Sequence, residues 1–149
     1  MIQTLNEIQV SYRENPHDLT GPRLTSSQKV ADLLHTLWDQ DTIALQESFK
    51  VLLLNNANCP KGIYQLSTGG ITGTLVDLRI LFAVVLKTLS VGIILAHNHP
   101  SGTLKPSEAD KALTTKIRKA AELFDVRVLD HLILVPGGSY YSFADNGLL

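Results

Sequence analysis

The stretch "VGIILAHNHPSGTLKPSEAD", residues 91–110, decides how the rest of the chain is read. Its opening "VGIILA" is an unbroken apolar run of the kind a strand buried on both faces requires. Its end, Pro106-Ser107-x-x-Asp110, has the form of a helix start: a serine to cap, an acid to return the bond, an apolar stripe to follow. Between them stand His97 and His99, where extended backbone turns alternate side chains the same way, so both rings can lean toward one point.

Downstream, Leu113, Ile117, Ala120, Ala121 and Phe124 form the buried stripe of that helix. "VRVLDHLILV" at 126–135 predicts the next strand, and Gly137-Gly138 turns into "YYSF" at 140–143. Upstream, Thr74 and Asp77 make a capping-box-like start for a helix to about Thr88, apolar nearly all round and so expected to be buried. "FKVLLLN" at 49–55 predicts a strand buried on both sides, with "IYQLS" at 63–67 returning beside it after a turn. Thr25-Ser26-Ser27 opens a first helix with Val30, Leu33, Leu34, Leu37 and Trp38 on one stripe. Residues 1–24 form a polar arm broken by Asn15-Pro16 and Gly21-Pro22, in which "EIQVSY" at 7–12 predicts a short strand able to pair with the sheet or a second chain. The expectation is one α/β domain over residues 25–149, a mixed sheet sandwiched by helices.

Bulk properties narrow the class. A net charge of −1 gives no global basic field for nucleic acid or anionic membrane. Cys59 is the single cysteine and has no internal partner, as expected of a reducing compartment. The apolar run at 80–96 is broken by Lys87, Thr88, Ser90 and Gly92, so it is no membrane span, and "MIQTLNEIQV" lacks the form of a signal peptide. A cytoplasmic location is expected. Gly69-Gly70 and Gly73 form no phosphate loop, because no Lys-Ser/Thr follows. Lys111, Lys116, Arg118 and Lys119 make one basic helix face, the best place for a weak anionic partner.

Two imidazoles leave a divalent ion short of ligands, and Asp110 can be the third. At 100° per residue Asp110 lies roughly 20° from Ile117 and roughly 60° from Leu113, along the buried stripe. A carboxylate aimed at a core is costly unless paired or bound to metal, which favours a ligand over a plain cap. Glu108 points away and serves the helix dipole. The fourth position would belong to water, as in catalytic sites, and Ser107 stands where it could bond that water or an oxyanion.

His97-x-His99-Pro100, six residues, then Ser107-x-x-Asp110 resembles the JAMM motif of JAB/MPN-domain zinc metallopeptidases. "GGITGTLVDLRILF", "HNHPSGTLKPSEAD", "VRVLDHLILV" and "YYSFADNGLL" are similar to the RadC-like branch, so the resemblance covers about residues 25–149. It implies a cytidine-deaminase-like fold, one zinc per chain on His97, His99 and Asp110, and support of the transition state by Ser107. It also implies an upstream glutamate as general base. "QESFKVLLLN" offers Glu47 in that register, whereas position 65 is a glutamine and cannot serve. The deaminase reaction is disfavoured, since its H-x-E and P-C-x-x-C ligands are missing. The implied activity is hydrolysis of a peptide or isopeptide bond. The alternatives are a catalytically silent module that binds a protein or nucleic-acid partner, and a metal-dependent nuclease, against which the lack of a basic stripe counts. The branch's name is tied to DNA repair, but many members carry a further N-terminal helical region that is not expected in these 149 residues, so a DNA role is not expected either. A homodimer through the N-terminal arm is a further expectation. His131 and Asp130 are candidates to orient a ligand histidine. Cys59 reads as an ordinary loop thiol, and His17 and His35 have no partner the sequence can name.

Overall fold

The run at 91–96 does become the middle of the molecule. A computed structural model describes residues 4–15, 21–69 and 75–149. Along these the chain forms α1 (Ser27–Leu37), β1 (Ser48–Leu54), β2 (Pro60–Thr68), α2 (Leu78–Lys87), β3 (Gly92–Asn98), α3 (Glu108–Glu122), β4 (Arg127–Leu134) and β5 (Tyr140–Ser142). The strands make one mixed sheet in the order β2-β1-β3-β4-β5, and every residue of β3 is buried. β1 is antiparallel to both β2 and β3, and β4 is antiparallel to β5. Strands β3 and β4 are parallel, which demands a crossover, and α3 supplies it.

Period-two alternation sends the two faces of the sheet into two separate cores. Leu52, Leu54, Ile94, Ala96, Leu132 and Leu134 pack with Val30, Ala31 and Leu34 of α1 and with Trp38. Phe49, Val51, Leu53, Ile93 and Leu95 pack on the other side with Leu81, Phe82 and Val85 of α2 and Ile117 and Ala121 of α3. Successive residues of β3 therefore serve opposite layers. This sorting decides what residues 97 and 98 can do.

Four expectations change on contact with the structure. The segment 7–12 forms no strand: among the described residues no neighbouring backbone pairs with it, and Ile8 and Val10 lie exposed. Near it Glu14 meets Lys61 at 3.1 Å, and the Lys61 ammonium sits over the Tyr12 ring. Helix α2 begins at an Asp77 cap that accepts the Arg79 amide at 2.9 Å, while Thr74 lies outside the described residues, as does His17. Nor is α2 buried all round. It touches the sheet by one face only, so Ile80 and Leu86 remain 45% and 43% exposed on the other. Helix α3 stops at Glu122, leaving Phe124 beyond it, half exposed against the Phe82 ring. Among the described residues no helix is long and apolar enough to cross a membrane.

Candidate metal centre

Residue 97 belongs to the α3 side of the sheet and residue 99 continues the same alternation, held extended by its amide's 2.9 Å bond to the Leu134 carbonyl. The chain then turns sharply at Gly102, whose φ of +85° suits glycine. The turn brings the Thr103 carbonyl onto His99 Nδ1 at 2.7 Å. A carbonyl only accepts, so Nδ1 carries the proton and the neutral ring offers Nε2. His97 lies flat against Phe49 and its Nε2 stands 2.9 Å from His99 Nε2.

Helix α3 delivers Asp110 to the same point. Ser107 is its N-cap: the hydroxyl accepts the Asp110 amide at 3.0 Å, and Asp110 Oδ2 accepts the Ser107 amide at 2.8 Å. That same Oδ2 stands 3.4 Å from each histidine Nε2. Cap and ligand geometry thus coexist in one carboxylate.

Glu47 arrives from fifty residues upstream because β1 runs antiparallel to β3, with Phe49 opposite His97. Its Oε1 stands 3.9 Å from His97 Nε2 and 3.8 Å from His99 Nε2. The segment before β1 is held by Asn98, the residue between the two histidines, which points to the α1 side. Asn98 donates to the carbonyls of Ile43 at 2.7 Å and Gln46 at 2.9 Å, and accepts the Ser48 amide at 2.8 Å. Its side chain is fully buried and uses both kinds of hydrogen-bonding atom, so it fixes Glu47 from both sides in sequence. No expectation from sequence attached a role to Asn98, although strand alternation already sets it opposite its neighbours.

Glu47, His97, His99 and Asp110 offer ligand atoms that all lie within 4.8 Å of one another, and together they could hold a metal ion. The donor chemistry fits one. Imidazole nitrogen and carboxylate oxygen suit divalent transition metals, and two neutral imidazole lone pairs at 2.9 Å repel unless a cation or proton lies between them. In a tetrahedral site with bonds of ~2.0–2.1 Å the ligand atoms are about 3.3 Å apart, close to the 3.4 Å from Asp110 to each ring.

Electrostatics follows from this crowding. Burial raises the pKa of Glu47 and the Asp110 charge adds to the rise, outweighing the pull of the two histidines. Asp110 goes the other way: burial raises it, but the imidazoles, when protonated, and the Ser107 amide hold its carboxyl well below the usual range. Burial lowers His99, yet the bonds to Asp110 and Thr103 and the two carboxylate charges leave its pKa raised.

The remaining candidates separate cleanly. Ser107 and Lys105 line, with Ala44, Phe49, Pro100 and Leu113, an open cleft of about 700 Å³ above the four residues. His131 is completely buried and meets His97 Nδ1 at 2.8 Å. Asp130 does not orient a ligand histidine. As the neighbour of His131 it faces the opposite layer, where its carboxylate accepts from the His131 amide, the Ser142 hydroxyl and the Ala144 amide. Cys59 is a free, partly buried thiol.

A family model described as RadC-like JAB domain matches residues 24–148. A "UPF0758 protein" of Flavobacterium johnsoniae is 53% identical over 102 residues, covering 68% of this chain and 44% of that protein. Another from Porphyromonas gingivalis is 48% identical over 104 residues, 70% of this chain and 46% of its own length. "UPF0758 protein PM1152" of Pasteurella multocida is 36% identical over 148 residues, 99% of this chain and 64% of its own. The chain therefore spans about half the length of the first two curated relatives. It belongs to the family of RadC-like JAB domains.

Proposed function

We propose that the chain is a zinc-dependent hydrolase of amide bonds, acting on a peptide or isopeptide, with His97, His99 and Asp110 as ligands, Glu47 as general base and Ser107 as oxyanion donor. One observation carries the reading. His97 Nε2, His99 Nε2 and Asp110 Oδ2 form a triangle with sides of 2.9, 3.4 and 3.4 Å, from which Glu47 Oε1 stands back at 3.8 and 3.9 Å. Three ligands and one withdrawn carboxylate are what hydrolysis asks for, whereas four equal ligands would describe a closed structural site. An ion held there acidifies a water and polarises a carbonyl. Glu47, raised by burial, is suited to take a proton from the attacking water and hand it to the leaving nitrogen. Ser107 gives its oxygen to the Asp110 amide and keeps a proton to donate into the cleft, toward a developing oxyanion. Phe49, Pro100 and Leu113 give the cleft apolar walls that exclude water from the reacting bond.

The test pairs metal analysis with turnover of a peptide and isopeptide library. Wild type is expected to hold one zinc per chain and to cleave a member of the library. Glu47→Gln should keep the zinc and lose about 10²–10⁴-fold in rate, while His99→Ala should lose both. Zinc-loaded wild type that cleaves nothing in the library would favour the non-catalytic binding module, and wild type without zinc would overturn the hydrolase reading.

A further inference from the structure

We propose that His131 and Thr114 are positioning residues for this centre: a hydrogen-bond chain anchored on the Asp110 carbonyl fixes His97 as the Nδ1–H tautomer and turns its Nε2 lone pair into the site. The proposal rests on the reading of His97 as a ligand, but concerns two residues that touch neither the ion position nor the cleft.

The chain can be followed one proton at a time. The Thr114 hydroxyl donates to the Asp110 carbonyl at 2.7 Å, one helical turn back, and so has no proton left for another acceptor. His131 Nδ1 lies 2.6 Å from that oxygen, so the proton between them belongs to the ring. His131 is wholly buried, with Phe143 stacked on its face, and a ring whose one proton is on Nδ1 has a bare Nε2. The bare Nε2 faces His97 Nδ1 at 2.8 Å, which must then be the donor. The neutral His97 ring consequently presents a lone pair at Nε2, beside Asp110 Oδ2 and His99 Nε2.

Reversing the direction shows what the anchor does. A Thr114 hydroxyl turned to His131 would put that ring's proton on Nε2, make His97 Nδ1 an acceptor, and place the His97 proton on Nε2, where a metal belongs. Packing holds the ring planes for the productive direction. His131 stacks on Phe143 at 4.5 Å between centroids, and Phe49 lies flat on His97 and edge-on to His131. The turn of α3 that presents Asp110 thus also carries the residue that sets the partner histidine. For His99 the same service comes from a loop carbonyl. For His97, inside the sheet, side chains of β4 and α3 must provide it.

The test reads tautomers by ¹⁵N correlation spectroscopy of the metal-free protein, and zinc affinity by chelator competition. Wild type should show His97 protonated at Nδ1 and bare at Nε2. Thr114→Val, which keeps the shape and removes the hydroxyl, should lower zinc affinity roughly 10–100-fold, and Thr114→Ser should restore it. His97 protonated at Nε2 in wild type would overturn the assignment. So would Thr114→Val binding zinc as tightly as wild type, or Thr114→Ser failing alongside it. If Thr114→Val does not fold, the wild-type tautomer decides alone. Because that spectrum is recorded without metal, it separates failure of this assignment from failure of the hydrolase reading.

Discussion

Asp110 carries two duties on one oxygen, accepting the Ser107 amide and facing both imidazoles. The duties separate by substitution. Asp110→Asn retains a carbonyl for the Ser107 amide but loses the charge, so at a pH where the imidazoles are neutral unfolding free energy should change by about 1 kcal/mol or less while zinc binding collapses. A parallel loss of both, measured by urea unfolding and metal analysis, would mean that the cap alone explains this residue. The pH response is set at the same scale. In the metal-free chain His99 has a raised pKa, so its contribution is full below the ordinary imidazole value of ~6.5 and is lost as pH rises through the folded value. The raised Glu47 works in the same direction above the ordinary carboxylate range, while His131, held neutral by burial, works the other way chiefly below ~6.5, where the unfolded imidazole is charged. Urea midpoints with chelator present should therefore fall from pH 6.5 to 8.5. With zinc the trend should reverse, because the ion no longer competes with the His99 proton. Asp110, His97 and His99 were legible in the sequence because spacing and helical phase are local properties. Thr114 was not: in sequence it is one more polar residue in a helix, and its partner comes from β4.

At the scale of the element, β3 governs the site by serving two layers at once. Its odd residue, His97, is in the α3 layer, while Asn98 reaches the other side and holds the segment 43–48 that carries Glu47. Asn98→Ala leaves two carbonyls and an amide without their bonds and should destabilise by about 2–4 kcal/mol in urea unfolding. It should also reduce turnover more than zinc content, since the segment it releases carries the base and no ligand. Equal loss of both would contradict the division of labour between faces. The strands and the starts of α1 and α3 could be read from the sequence, because apolar runs and caps are written within a few residues. The exposed face of α2 could not. Ile80 and Leu86 look like core residues until the layers show that the sheet covers only one side of that helix. The segment 7–12 alternates like a strand, yet a strand exists only where a neighbour supplies the ladder.

At the scale of the molecule, the site lies where the parallel pair β3 and β4 hands over to the crossover helix, the end of a sheet at which ligands commonly bind. The antiparallel approach of β1 brings the start of one strand to the end of another, which is how positions 47 and 97 meet. Sequence alone could suggest that meeting only through the family resemblance, because no local pattern records the register between strands. The central claim is a three-ligand ion with a withdrawn carboxylate, and a crystal structure of the zinc-loaded chain with anomalous scattering at the zinc edge tests it most directly. The account predicts a single ion within about 2.0–2.2 Å of His97 Nε2, His99 Nε2 and Asp110 Oδ2, with Glu47 outside its ligand sphere. An ion bound directly by Glu47, or no anomalous peak between the two histidines, would contradict it.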